Sequence, residues 1–227
     1  MRYSYISLIA CVIYIFLHTV ISAGDRNAVE LPDVTLGKDN NVSISIERMH
    51  SVRDFADKPL ELKDVSQLIW AAGGTKIDAV TGASRSYPSA GACYPLEFHL
   101  VAGNIKGLSP GIYRYDNKHH VLRKTVDGDM RKKLAEQAYG QKMFRTAPCC
   151  IVITSVNSRT TSRYPDRGSA YIYIDAGHSG QNIYLTAAAS GYATVAVGAF
   201  NDSGISTLLK LPRTETPVIL YPLGYPE

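Results

Sequence analysis

Apolar positions recur along this chain with two periods, and the places where the period changes mark its elements. Val65, Leu68, Ile69 and Ala72 follow helical spacing after Leu60, and Gly73-Gly74 closes the run. Trp70, the only tryptophan, falls inside that helix and reads as packing. Met130, Leu134 and Ala138 repeat the spacing after Asp127-Gly128-Asp129, whose carboxylates suit a helix start. A long helix is predicted from Ser169 to Ser190, ended by Gly191, with Tyr171, Tyr173 and Tyr184 and the small patch Ala187-Ala188-Ala189. A short one spans Asp202 to Leu209, capped by Asp202 or Ser203. Strands are expected at Leu96–Ala102, Ile112–Tyr115, Val121–Lys124, Cys149–Ser155, Tyr192–Val197 and Thr216–Leu223. Asp116-Asn117 makes the second and third a hairpin, and Cys149–Ser155 is apolar enough to be buried on both faces. Thr75–Ser86 and Arg159–Arg167 read as polar loops, and Gln141–Pro148 as a connection.

The N-terminus departs from both periods. Arg2 precedes an apolar run from Ile6 to Ile21, then Ser22-Ala23-Gly24. Residues 1–23 are expected to be a secretory signal peptide cut near Ala23, or, left uncut, an N-terminal membrane anchor. The expected location is exported, periplasmic or extracellular, with membrane contact only through an uncleaved leader. Residues 24–46 follow as an extended arm, although Ser45-Ile46-Glu47-Arg48 could equally open a helix, and 47–227 form one domain.

Composition narrows the function classes. With 227 residues, 45% hydrophobic and 19% charged, the chain can bury a full core. The net charge of +4 comes from scattered basic residues, without the clustered stripe that nucleic-acid binding needs. A mild positive balance still favours an anionic ligand. Beyond Cys11 in the leader there are Cys93, Cys149 and Cys150, an odd number that implies no disulfide framework. No cluster has metal-ligand spacing; His119-His120 at the hairpin tip reads as an exposed polar turn.

Candidate chemistry gathers in three stretches. Pro88-Ser89-Ala90-Gly91-Ala92-Cys93-Tyr94-Pro95 is a loop of small residues held between prolines. Such a loop lets a flat ligand approach and is expected to leave N–H groups free to face it. In His50-Ser51-Val52-Arg53, a hydroxyl and a guanidinium two residues apart on extended chain share a side, suited to a phosphate or a carbonyl-rich ring. Val197-Gly198-Ala199 ends a strand with residues that admit close backbone approach. In the long helix His178, Gln181 and Asn182 share a face, with His178 read first as a satisfied structural histidine.

Taken in order, these segments resemble the SagB-type branch of the nitroreductase family. Pro88–Pro95 is similar to its P-S-A-G-A-x-Y-P signature, and His50–Phe55 to its R-R-S-x-R-x-F segment. Pro110–Tyr115 resembles its G-x-Y-x-Y strand, Asp175–Asn182 its G-H-x-x-Q-N helix, Val197–Asp202 its flavin-ring loop, and Leu223–Pro226 its final strand end. The resemblance implies an α+β, nitroreductase-like fold: a central, mostly antiparallel sheet flanked by helices, in a homodimer with FMN at the subunit interface. It implies an FMN-dependent oxidoreductase, hydride transfer through flavin N5, and a small-molecule substrate. The flavin would be held by His50, Ser51, Arg53, Pro88, Ser89, Ala90, Gly91, Val197, Gly198 and Ala199, with Arg85 joining the site. Tyr94, beside the flavin loop, is the candidate proton donor. The chain departs from the pattern twice: Met49 stands at the first arginine position, and Tyr225 at the strand end where relatives carry a basic residue. Export fits poorly with a nicotinamide donor and suggests a small organic or quinone-like partner. The alternatives are an azoline dehydrogenase acting on peptide heterocycles, or an exported non-catalytic binding protein on the same fold.

Overall fold

The structure, a computed structural model, describes residues 27–34, 42–78 and 82–227. The leader therefore lies outside the described residues, and among those described no helix is long and apolar enough to cross a membrane.

Seven strands form the central sheet: β1 (Ala28–Glu30), β5 (Leu96–Ala102), β7 (Gly111–Asp116), β8 (Val121–Asp127), β9 (Cys149–Ser155), β10 (Ala193–Thr194) and β11 (Thr216–Gly224). Their order is β1-β8-β7-β5-β9-β11-β10, with every neighbouring pair antiparallel. Alternation on β9 shows how the core is divided. Cys149, Ile151 and Ile153 face one layer, with helices α2 (Leu62–Gly73) and α6 (Gly168–Ala189). Cys150 and Val152 face the other, with α3 (Arg131–Gln137), α4 (Met143–Thr146) and α7 (Asp202–Leu209). A strand with helices over both faces must be apolar throughout, as Cys149–Ser155 is. Burial pushes both thiols up, Cys149 to about 12, so neither is a ready nucleophile.

Several expectations change. Val42–Arg48 is a helix, α1, so the last five residues of the arm expected through residue 46 are helical. Thr75–Asp78 (β3) and Gly82–Arg85 (β4) form a hairpin where a polar loop was expected. Two four-residue strands of mostly polar sequence carry no alternation long enough to announce them. Leu60–Glu61 (β2) pairs in parallel with Ile105–Lys106 (β6). Helix α4 lies in the expected connection, and a single turn, α5 (Ser158–Thr161), in the expected Arg159–Arg167 loop. Tyr192–Val197 is not one strand: Ala193 and Thr194 pair with β11, and Val197 then meets Leu220 in a separate bridge. Helix α7 is capped by Asn201, whose side chain accepts from the Gly204 N–H, rather than by Asp202 or Ser203. His120 is no exposed turn residue. Its ring meets Ser66 Oγ at 2.9 Å and Tyr115 Oη at 2.8 Å, and burial lowers its basicity.

Candidate functional site

Helix α6 organises the candidate site, because polar groups along it reach into four other segments. Ser179 donates to Ala72 O at 2.6 Å, and Asn182 to Ala71 O and Ser86 O, which ties α6 to the end of α2. Gly180 lets it settle on the sheet: a Cβ there would lie 1.8 Å from Tyr221 Oη.

Near the start of α6 the buried Asp175 receives the loop that carries Pro88, Ser89, Ala90 and Gly91. Ser89 Oγ donates to its carboxylate at 2.5 Å, and Ala90 N–H at 3.4 Å. Burial raises the Asp175 pKa, against those two hydrogen bonds and the nearby His178. The loop then makes one 3₁₀ turn over Ala90–Ala92, with Gly91, Ala92 and Tyr94 all at positive φ (57°, 54° and 44°). Most of its N–H groups are not free, contrary to expectation, although Gly91 N–H donates to no acceptor among the described residues. Ala92 N–H goes to Ser89 O, Cys93 N–H to Ala90 O, and Tyr94 N–H to Ser89 Oγ. Turning three successive residues this tightly consumes the amides locally. Arg163 donates to Gly91 O at 2.9 Å and Arg159 to Tyr94 O at 3.1 Å. The Tyr94 ring stands edge-on to Tyr87 at 5.8 Å, with the Arg85 guanidinium 5.7 Å from its centre. Arg85 also donates to Thr75 Oγ1, so it buttresses this loop rather than standing in solvent.

Two and a half turns further along α6, Tyr184 gathers the other candidates. Its hydroxyl meets Ser51 Oγ at 2.9 Å and accepts the Ala196 N–H at 2.8 Å. Val52 N–H donates to Thr194 O, so the 50–53 segment runs alongside β10. Val197 exchanges two hydrogen bonds with Leu220, at 2.9 and 3.0 Å, leaving Gly198 and Ala199 exposed beyond it. A cleft of about 210 Å³ opens here, with Arg48, His50, Tyr184 and Tyr192 around a floor that includes Ala188 and Ala193. Arg48 and Arg53 have exposed side chains and no ion pair among the described residues. Met49, at the family's arginine position, has its sulfur 3.1 Å from Gln181 Nε2. His178 is exposed, so it is not the satisfied structural histidine that its place on the helix suggested.

The structure thus brings His50, Ser51, Arg53, Val197, Gly198 and Ala199 to one end of α6, and Pro88, Ser89, Ala90, Gly91 and Tyr94 to the other. Asp175 and Tyr184 are nine residues apart on the helix, roughly 13 Å at 1.5 Å per residue. Sequence reasoning missed both of these organisers. An aspartate in the buried stripe of a helix was the one signal available; a tyrosine among fifteen carried none. Among the described residues, no group of three or more His, Cys, Asp or Glu side chains is arranged to hold a metal ion.

The nitroreductase family model matches residues 46–225, the whole sheet except β1 together with both ends of α6. The chain belongs to the nitroreductase family. It is 35% identical over 201 residues to a nitroreductase-named protein of Methanocaldococcus jannaschii, across 88% of this chain and 98% of that one. It is 28% identical over 205 residues to the trifolitoxin-processing protein of Rhizobium leguminosarum bv. trifolii, covering 84% of this chain and 54% of the relative, so it spans about half that protein's length. The crystal structure of a nitroreductase-named protein from Ralstonia eutropha superposes with a TM-score of 0.76 at 25% identity, over 89% of this chain and 90% of that one. The α+β, nitroreductase-like fold expected from the motifs is the fold observed, and membership of this family makes the chain an oxidoreductase by class.

Proposed function

We propose that this nitroreductase-family protein is an FMN-dependent oxidoreductase that exchanges a hydride with a small organic substrate. The observation that carries the reading is the donor set at the Tyr184 end of α6. Arg48 lines the cleft beside Tyr184, Arg53 follows Ser51 by two residues, and both are exposed with no ion pair among the described residues; the exposed Gly198 and Ala199 amides donate to no protein acceptor among those residues. Cations and a hydroxyl fit the phosphate end of a flavin nucleotide; strand-end amides fit the carbonyls and N5 of its ring. When bound, FMN supplies a two-electron centre at N5. The protein's own residues hold the anion, fix the ring's plane and keep a phenol, Tyr94, available to carry a proton to the acceptor.

The loop at 88–94 is anchored on Asp175, nine residues along α6 from Tyr184, so this donor set and that loop meet the ligand from different places. A second copy presenting its 88–94 loop to the first completes the site, so the proposal includes a homodimer. The exposed Tyr173 and Ile174 on α6, at 67% and 49%, are apolar surface for such contact. Export of the mature chain also belongs to the proposal and directs the search for a substrate toward quinone-like acceptors. NADH-dependent activity in the exported fraction at the rate of whole lysate would oppose it.

The test is the visible spectrum of the chain purified without residues 1–23. Flavin bands that bleach on reduction are expected; a colourless protein that takes up no added FMN overturns the proposal. Arg53→Ala should weaken FMN binding about 10- to 100-fold, the worth of a charge-assisted phosphate contact. The trifolitoxin-processing relative favours one second reading, oxidation of rings in a modified peptide, for which turnover of an azoline-containing peptide is the discriminating assay.

A further inference from the structure

The reversal after α3 has two consecutive residues in the left-handed region, Tyr139 (φ 54°) and Gly140 (φ 78°). Glycine adopts this freely, whereas a tyrosine needs something to hold it there. Packing is a weak reason, because Tyr139 is 70% exposed. Its hydroxyl supplies a better one by donating to Phe200 O at 3.1 Å. On the far side of Gly140, Gln141 Nε2 donates to Ala199 O at 3.0 Å and to Ala138 O at 2.9 Å. One residue along, Asn201 N–H donates to Gln137 O at 2.8 Å. A single five-residue reversal thus grips three successive backbone groups: the carbonyls of Ala199 and Phe200 and the amide of Asn201. On the other side of Gly198, Val197 is locked to Leu220 by two hydrogen bonds.

We propose that Tyr139 and Gln141 are positioning residues for the Gly198–Ala199 turn. The turn is exposed and carries almost no side chain, so its own packing cannot fix the direction of its amides. Anchoring the carbonyl that follows it, with the strand bridge that precedes it, removes the rotations by which the Gly198 and Ala199 N–H groups would wander. Their use toward a flavin rests on the reading above; the clamp itself does not. Both residues act through the backbone of the turn, by way of Phe200 O and Ala199 O.

The experiment compares the full chain with Tyr139→Phe, Gln141→Ala and the double variant, by hydrogen exchange over residues 197–201 without added flavin and by FMN titration. Tyr139→Phe removes one oxygen from an exposed ring and should leave the fold intact. The double variant should exchange at least about tenfold faster at the hydrogen-bonded Val197 and Asn201 amides that bound the turn, with β9 unchanged. Each single variant should bind FMN roughly two- to tenfold more weakly, the range for one neutral hydrogen bond, and shift the midpoint potential of the bound flavin. Unchanged loop exchange in the double variant overturns the clamp. Faster exchange with unaltered FMN affinity and potential overturns its positioning role. A parent chain that takes up no FMN overturns the flavin reading alone, and the clamp then stands or falls on the exchange result.

Discussion

Ser89 does three jobs with one hydroxyl and one carbonyl. Its Oγ donates to Asp175 and accepts from Tyr94 N–H, and its carbonyl closes the turn on Ala92. Ser89→Ala leaves a buried carboxylate and an amide each one partner short, and should cost about 1–3 kcal/mol in thermal or urea denaturation. Asp175 adds a pH signature of known sign. Burial raises its native pKa above the ordinary 3.8, so the folded chain binds more protons just above that value than the unfolded chain does. The Asp175 contribution therefore grows as pH falls through the window between the raised value and 3.8, and is smallest above it. Asp175→Asn should remove this component from a plot of stability against pH while keeping an acceptor for Ser89.

At the scale of elements, Glu215 ties the sheet together just before β11. Its buried carboxylate meets His99 Nε2 on β5 at 2.7 Å, accepts from Thr154 on β9, and pairs with Arg114 on β7 at 2.9 Å. Burial alone would raise its pKa, but the hydrogen bonds from His99 and Thr154 and the charges of His99 and Arg114 outweigh it and hold the group at about 2. A depressed carboxylate stabilises fully above its ordinary 4.5 and loses that contribution as pH falls from there toward 2. Acid unfolding should therefore steepen across this window, and Glu215→Gln should flatten it. Glu215→Ala, which leaves His99 and Arg114 without their shared acceptor, should cost about 3–5 kcal/mol at neutral pH. The contact of α6 with β11 gives a second prediction. Gly180→Ala sets a methyl against Tyr221 Oη and should cost about 1–3 kcal/mol, with part of the loss recovered when Tyr221→Phe removes that oxygen.

For the molecule as a whole, the proposed pairing of one copy's 88–94 loop with the other copy's Tyr184 end makes association the decisive property. Ultracentrifugation of the purified chain should show a mass twice that of one chain, and Ile174→Glu should shift it to monomer and lower flavin retention with it. A parent that stays monomeric at micromolar concentration refutes the paired site. A charge placed on the exposed face of α6 costs little folding stability, so the variant reports on association.

What the amino-acid order determined by itself was whatever announces itself locally. Helices with one buried stripe, such as α2, and strands apolar on both faces, such as β9, follow from periodicity, because burial against the core is what the period records. The loop at 88–95 and the segment at 50–53 were visible as motifs, since small residues and a hydroxyl–guanidinium pair have chemistry that spacing alone displays. The β3–β4 ribbon was hidden because Thr75–Asp78 and Gly82–Arg85 are short and mostly polar, without an apolar alternation to announce a strand. The engaged amides of Ala90, Ala92, Cys93 and Tyr94 were hidden because their acceptors depend on dihedral angles that no residue name specifies. Only the tertiary structure could show that Asp175 and Tyr184 hold the two candidate groups at opposite ends of one helix, or that Tyr139 and Gln141 reach Phe200 and Ala199 from sixty residues away. Those contacts pair single side chains with backbone groups, and an unspecific acceptor leaves no mark in sequence.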